Sequence, residues 1–369
     1  MTVGRRIEHC YVHVPFCPTI CPFCSFEVRE RRAGAVDAYL TRLDDEAART
    51  NDRVDVGPLR TLYLGGGTPS YLRSHEFERL VEVLRRRVGW APEVTLEVHP
   101  STCSQRRFSR WRELGITRFS VGVQSFDDEV LSRLGRHHDA ASGRQAVEWA
   151  VDTGAEVSLD LIVAVEGQDV AADIDAAVAS GVEHVSAYTL TVEDGTPFAL
   201  GGVEVDATAE HDAIMCAGTT LGGSGLERYE VSNHARRGHE CRHNQAYWDG
   251  RWWLGLGPGA SAHEPPPCAG AAAALRRTNP PFERWLAGEE ADPELLTPVE
   301  VGAELVIAGL RRVKGVDLDE VDRRTGVSGR WQEAIDDLVA IGHLVVQGNR
   351  VAATPAGLLH LDAVSARFV

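Results

Sequence analysis

The stretch YVHVPFCPTICPFCSF, residues 11–26, reads as the end of a strand running into a loop built around three cysteines. Cys17, Cys21 and Cys24 are spaced C-x3-C-x2-C, and the prolines among them argue against a buried core segment. Three thiolates at this spacing can wrap one face of a 4Fe–4S cluster. A fourth cysteine would close such a cluster for electron transfer, whereas three leave one iron open for chemistry. The amino and carboxylate groups of S-adenosylmethionine (SAM) can chelate that iron. An electron from the cluster then splits the sulfonium and yields a 5′-deoxyadenosyl radical. Structural zinc is the competing reading, with His9 or His13 offered as a fourth ligand. Zinc sites more often present paired ligands across a longer gap, and His13 falls inside the strand.

Outward from this loop, short apolar runs alternate with amphipathic stretches as far as about residue 190. Strands are predicted at Cys10–Val14, Thr61–Leu64, Val94–Val98, Arg118–Val123, Val157–Val163 and His184–Leu190. Helices are predicted between them, at Val36–Arg49, His75–Arg87, Ser104–Leu114 and Ala140–Asp152. Gly115 and Gly154 stand where helices should stop. Six β-then-α repeats imply a parallel sheet with right-handed crossovers. The predicted fold is α/β, a partial (β/α)6 TIM-like barrel, with an open doubly wound sheet as the other arrangement that fits. In both, function gathers at the C-terminal ends of the strands. Residues 1–200 are read as this core and 201–290 as an irregular extension, with a surface loop around Pro265–Pro267 and Ala271–Ala274. Residues 296–369 are read as a small unit of three helices, a hairpin turning at Gly348–Asn349 and a last helix, the order of a winged helix.

Composition narrows the function. The chain has 369 residues, 43% hydrophobic and 25% charged, the balance of a soluble globular protein. Its formal net charge of −16 does not suit nucleic acid and fits a basic partner or simple solubility. The winged-helix-like unit carries no basic stripe, so it reads as a packing or lid module. Lys314 is the only lysine, which sets aside Schiff-base and P-loop chemistry. No apolar run approaches the ~20 residues of a membrane span. The first residues lack the pattern of a signal peptide, and a cytoplasmic location is expected. Eight cysteines in so long a chain point to metal or thiol chemistry more than to a disulfide framework.

The cysteine loop resembles that of the oxygen-independent coproporphyrinogen III oxidase family of radical SAM proteins. That family includes a haem-chaperone branch and the related class C radical SAM methylases. The likeness continues through LYLGGGTPSYL (62–72), LEVHP (96–100), ITRFSVGVQSF (116–126), LGRHH (134–138), HVSAYTLTVEDGTPF (184–198), YEVSNHARRGHECRHNQAYW (229–248) and LGLGPGAS (254–261). The resemblance implies that Cys17, Cys21 and Cys24 hold the cluster. It further implies that Gly65, Gly66, Gly67 and Thr68 receive the methionine end of SAM, where a Cβ would obstruct the approach. Glu97, Gln124, Arg136 and Asp160 would complete the SAM site, with Tyr11 near the cluster and Phe23 against the adenine. A flavodoxin- or ferredoxin-type electron donor is implied as partner.

The family divides at the substrate. The oxidase carries a fourth cysteine shortly after the triplet; here Phe26 stands there, which disfavours the oxidase. His243, Asn244, Tyr247 and Trp248 match an HNxxYW motif associated with haem in the chaperone branch, and Cys241 is a further candidate ligand. An imidazole can ligate haem iron while Tyr and Trp rings stack on a porphyrin. Several positions depart from the chaperone pattern: Ser25, the Ala164-Val165-Glu166-Gly167 run, and Ser261-Ala262-His263. The expected cofactors are therefore a 4Fe–4S cluster and SAM, with haem or another tetrapyrrole as ligand. The alternative is a methylase or cyclopropanase that uses two SAM molecules on an aromatic or sp² carbon substrate.

Overall fold

The computed structural model describes residues 6–266 and 273–369. Six parallel strands form its centre: β1 (Ile7–Val14), β2 (Val56–Gly66), β3 (Glu93–Val98), β4 (Arg118–Gln124), β5 (Glu156–Val163) and β6 (His184–Thr189). The crossovers between them carry α1 (Ala35–Arg53), α2 (Ser74–Arg87), α3 (Gln105–Glu113), α4 (Ala140–Val151) and α5 (Val170–Ala179). Local chemistry sets the helix ends. Ser104 and Asp139 side chains accept the Arg107 and Ser142 amides, and Gly115 and Gly154 stop their helices at φ of 88° and 67°.

Alternation along the strands sorts two faces. Cys10, Val12, Val14, Leu62, Leu64, Val94 and Leu96 are fully or nearly fully buried in the main hydrophobic core. The opposite face is polar across the register: His9 lies beside Thr61 and Thr61 beside Glu93, while Glu97, Ser120, Ser158 and His184 follow one another across β3 to β6. Side chains from all five strands β2 to β6 line one cavity, so the sheet curls around this polar face. A closed eight-stranded barrel is normally filled by branched aliphatic layers, whereas this sheet is open. Here the lumen is built for a ligand.

The segment 201–290, expected to be irregular, is largely regular. It supplies α6 (Ala207–Gly223), β7 (Glu227–Arg228), β8 (Asn233–Ala235), α7 (Arg242–Trp248), β9 (Trp253–Leu256), β10 (Ser261–Glu264) and β11 (Ala274–Thr278). With β12 (Glu294–Leu296) these strands extend both edges, in the order β12-β11-β10-β9-β1-β2-β3-β4-β5-β6-β8-β7. The sheet stays open, as a partial barrel. Short strands with few apolar alternations explain why the pattern was not legible. Of the expected surface loop, residues 267–272 lie outside the described residues, as does Cys268, while Ala274 opens β11.

The glycine-rich LGLGPGA run is a close backbone approach. A Cβ on Gly257, at φ +92°, would sit 2.4 Å from the His13 carbonyl oxygen. The Gly257 amide donates to Glu46 of α1, which also takes the Trp285 indole N–H at 3.2 Å. After β12 comes α8 (Pro298–Leu310), opened by a Thr297–Glu300 capping box with Pro298 in its first turn. Helices Leu318–Thr325 and Gln332–Ala340, a three-stranded sheet of Val316–Asp317, Arg350–Ala353 and Leu344–Gln347, and two short helices, Pro355–Leu359 and Leu361–Ser365, where one last helix is expected, complete this unit. Among the described residues no helix is long and apolar enough to cross a membrane.

Candidate active site in the barrel lumen

The cysteine loop leaves the C-terminal end of β1 and folds over the lumen. A two-residue pairing of Phe16–Cys17 with Arg29–Glu30 closes its base, and the Cys24 amide donates to the Cys21 carbonyl at 3.1 Å. Cys17 is buried, whereas Cys21 and Cys24 are half-buried. All three line a cavity of about 430 Å³ together with Gly66, Gly67, Thr68, Glu97, Gln124, Arg136 and Asp160. Burial pushes the Cys17 thiol up to about 11, opposed by the Thr68 hydroxyl, which donates to its Sγ at 3.5 Å. Arg136 Nη1 donates to Cys21 Sγ at 3.4 Å, and its Nη2 to the Gly122 carbonyl at 2.8 Å. Donors aimed at sulfur favour the thiolate, the form that binds iron.

The donor set fits a cluster better than a single ion. Among the described residues no three His, Cys, Asp or Glu side chains converge as one metal ion needs. Tetrahedral zinc requires that convergence, whereas a cubane takes its three sulfurs on three different irons. His13, the zinc reading's fourth ligand, is turned away: its Nδ1 meets Tyr11 Oη at 3.0 Å and its Nε2 the Glu27 carbonyl at 2.7 Å. His9 is likewise engaged, with Thr61 at 2.8 Å.

Beside the loop, the glycines make a cradle. A Cβ on Gly65 would fall 2.8 Å from Glu97 Oε1, one on Gly66 (φ +105°) 2.4 Å from the His13 ring, and one on Gly67 3.0 Å from Cys17 Sγ. Glu97 accepts from Tyr63 Oη and from the Gly66 amide, both at 3.0 Å. Burial, with Asp160 nearby, raises its carboxyl to about 8. Asp160 accepts from Ser120 at 2.7 Å and Ser158 at 3.3 Å, and burial raises it too. Gln124 ends β4 at a register shift, with φ of 71°. Phe23 packs against Phe198, whose amide donates to the Pro22 carbonyl and pins the loop to the chain after β6. Two carboxyls, a guanidinium and an aromatic wall suit a zwitterionic, cationic nucleoside ligand.

A Glu97→Gln chain keeps the Tyr63 hydrogen bond and loses the negative charge. Its affinity for SAM, measured by calorimetry on cluster-loaded protein, is expected to fall about 10–100-fold. Between pH of about 6 and 7, wild-type affinity is expected to rise with pH, because a carboxyl held near 8 must lose its proton to meet a cation. The variant should lack that slope.

Not all expected residues gather here. Tyr11 lines a second cavity and touches the first only through Tyr63, its ring 6.0 Å away. His243 is 1% exposed, with Nδ1 on Thr61 at 2.7 Å, Nε2 on Tyr247 at 2.9 Å and its ring stacked on Tyr63. It lines neither cavity, and burial drops it to about 3. Asn244 is half-buried and also lines neither, whereas Tyr247 and Trp248 line the second. Cys241 is a buried thiol near Glu93. Ala164, the first residue of the run that departs from the chaperone pattern, adopts φ of 66°, a left-handed conformation that glycine holds more cheaply. Sequence reasoning missed Tyr63, Ser120 and Tyr188, which line the SAM-type cavity. The two-residue period of the strands, counted from Glu97 and Asp160, was the signal for them.

A thiol triplet above a polar half-barrel lumen defines a radical SAM protein. The profile of the Radical SAM superfamily matches residues 11–177, and that of the HemN C-terminal domain residues 296–360. The solved structure of coproporphyrinogen III oxidase (HemN) from Escherichia coli shares the fold, with a TM-score of 0.84 over 99% of this chain and 91% of that one, at 21% identity. The heme chaperone HemW of Mycobacterium tuberculosis is 35% identical over 96% of this chain and 93% of its own length. That of Bacillus subtilis is 28% identical over 98% and 99%. The chain belongs to the heme chaperone HemW family.

Proposed function

We propose that this protein is a SAM-cleaving haem chaperone, with a 4Fe–4S cluster on Cys17, Cys21 and Cys24 and a tetrapyrrole as its cargo. The observation that carries the first half is that three thiols, Gly66 and Gly67 line one cavity with Glu97 and Arg136. The second half is supported by similarity to haem chaperones along nearly the whole chain. When bound, a cluster with one open iron supplies the electron that splits the SAM sulfonium. Around it, Glu97 takes the ammonium, Arg136 the carboxylate, Asp160 and Gln124 the ribose side, and Phe23 covers the adenine. Leu190, Phe23 and Phe198 pack beside the cavity and help exclude water. A flavodoxin- or ferredoxin-type donor would approach the loop rim, where Ile20 and Phe26 are exposed. A cytoplasmic setting, which keeps thiols reduced, suits the three cysteines as cluster ligands.

Class C methylation has no comparable support, since the relatives matched along nearly the whole chain are haem chaperones. The test is one preparation, reconstituted without air, reduced, and given SAM and haemin in turn. Release of 5′-deoxyadenosine together with a saturable change in the haemin Soret band is expected. Formation of S-adenosylhomocysteine alongside 5′-deoxyadenosine, with no haemin binding, would overturn the proposal.

A further inference from the structure

The second cavity, about 670 Å³, lies on the same sheet face as the first, beyond β1. Tyr11 and Tyr63 stand between the two. Its walls are unlike the SAM-type cavity. Trp248 of α7 and Trp253 of β9 form aromatic sides, and Val301, Leu305 and Ala308 of α8 close it from the C-terminal unit. A space of this size, apolar with a few polar groups, is typical of a site for a sizeable organic ligand.

Three polar groups on its wall keep nitrogen atoms without a hydrogen-bond partner among the described residues. His263 of β10 is 5% exposed and lies flat against the indoles of Trp252 and Trp253, at 4.8 and 5.0 Å between centroids. Its ring nitrogens make no hydrogen bond among the described residues, whereas His9, His13, His184 and His243 are all tied to protein groups. Burial lowers it to about 4, so it is a neutral imidazole at physiological pH, the form that ligates metals. Among the described residues the Trp248 indole N–H and the Arg311 Nε–H are buried without an acceptor. Leaving such donors unmet is costly. The Arg311 guanidinium lies over the Trp248 ring at 4.8 Å. Of the acidic groups nearby, Glu304 is held by Arg276, and Glu230, whose carboxyl feels the Arg311 charge, is buried and accepts the Ser232 amide.

We propose that this cavity is a haem site shared between the core and the C-terminal unit, with His263 as the imidazole facing the iron and Arg311 with Trp248 as the partners of a propionate. The proposal rests on the haem-chaperone reading and departs from the expectation that His243 is the ligand. A flat macrocycle fits between indole walls and an aliphatic helix face, and its carboxylate supplies the acceptor that the two N–H groups lack. Sharing the site with α8 gives the C-terminal unit the role of a lid.

The test titrates the full chain with haemin and with an iron-free dicarboxylate porphyrin. His263→Ala is expected to weaken haemin by about tenfold or more and shift its Soret band, while leaving the iron-free porphyrin within about twofold. Arg311→Met should weaken both by about five- to tenfold, the worth of one charge-assisted contact. His243→Gln should leave the haemin spectrum as in wild type. SAM affinity, read in the same preparations, should not move. If His263→Ala folds poorly, Ala308→Trp fills the cavity from α8 and should block both porphyrins. Wild-type-like haemin binding and spectra in these variants would overturn the site and leave the chaperone reading standing. Absence of haemin binding in the wild type would sink both. Loss of SAM affinity in place of haemin affinity would mark the cavity as a second nucleotide site, and would also overturn the proposal.

Discussion

A Cys21→Ala chain, reconstituted with iron and sulfide in the absence of air, is expected to lose the cluster's visible absorption and its ability to cut SAM. Cys21 sits half-buried in the loop, and its Sγ accepts from Arg136, so its loss opens the trio without removing a core side chain. Removing one member of a unit that acts together typically costs the whole effect, here a fall of about a thousandfold or more in 5′-deoxyadenosine formation. The metal-free fold should change by less than about 0.5 kcal/mol, because the position lies away from packed features. Urea unfolding of the metal-free protein checks the second statement, and iron content with product analysis checks the first. Full iron loading with normal SAM cleavage in the variant would remove the basis of the proposed chemistry.

A Glu93→Ala chain is expected to lose about 3–5 kcal/mol of stability, a large share of what a domain has. Glu93, at the start of β3, is 8% exposed and receives the amides of Arg242 and His243 at 3.2 and 3.0 Å, with Cys241 Sγ near its Oε1. It therefore pins the first turn of α7 to the floor of the lumen. Arg118 is the nearby buried cation; it pairs with Glu156 at 2.6 Å and bonds the His239 carbonyl at 3.1 Å. Burial raises the Glu93 carboxyl, while Arg118 and the two amides pull it down. Alanine would leave both amides without an acceptor and Arg118 short of countercharge. Glu93→Gln keeps one acceptor and should lose about half as much. The midpoint of urea unfolding reads both; an alanine variant as stable as wild type would mean that α7 is held by its apolar contacts alone.

Much of the architecture was legible. The strands at Val94–Val98, Arg118–Val123 and Val157–Val163 were placed to within about a residue, because buried strands of a parallel sheet carry long β-branched runs with glycine stops between them. The cysteine loop stood out because its pattern is local: three thiols within eight residues need no tertiary contact to be noticed. Two parts were not. The extension after residue 200 was read as irregular because its strands are two to five residues long and lie at sheet edges, where little apolar alternation is required. The placement of the HNxxYW side chains was the other: the imidazole ligand and stacking rings it suggests are neighbours in sequence, yet helical spacing sends them to different surroundings. His243 faces β2 and Tyr63, while Tyr247 and Trp248 reach the neighbouring cavity.

By itself the sequence determined the order of the β/α units, the open-sided sulfur trio and the glycine cradle beside it, because each is encoded within a few consecutive residues. Only the tertiary structure decided which histidine is free. His243 and His263 are indistinguishable as letters. One is spent on Thr61 and Tyr247, and the other stacks against two indoles, with no hydrogen bond to its ring nitrogens among the described residues. That difference comes from strands and helices distant in sequence meeting across the lumen, and a local pattern carries no record of it.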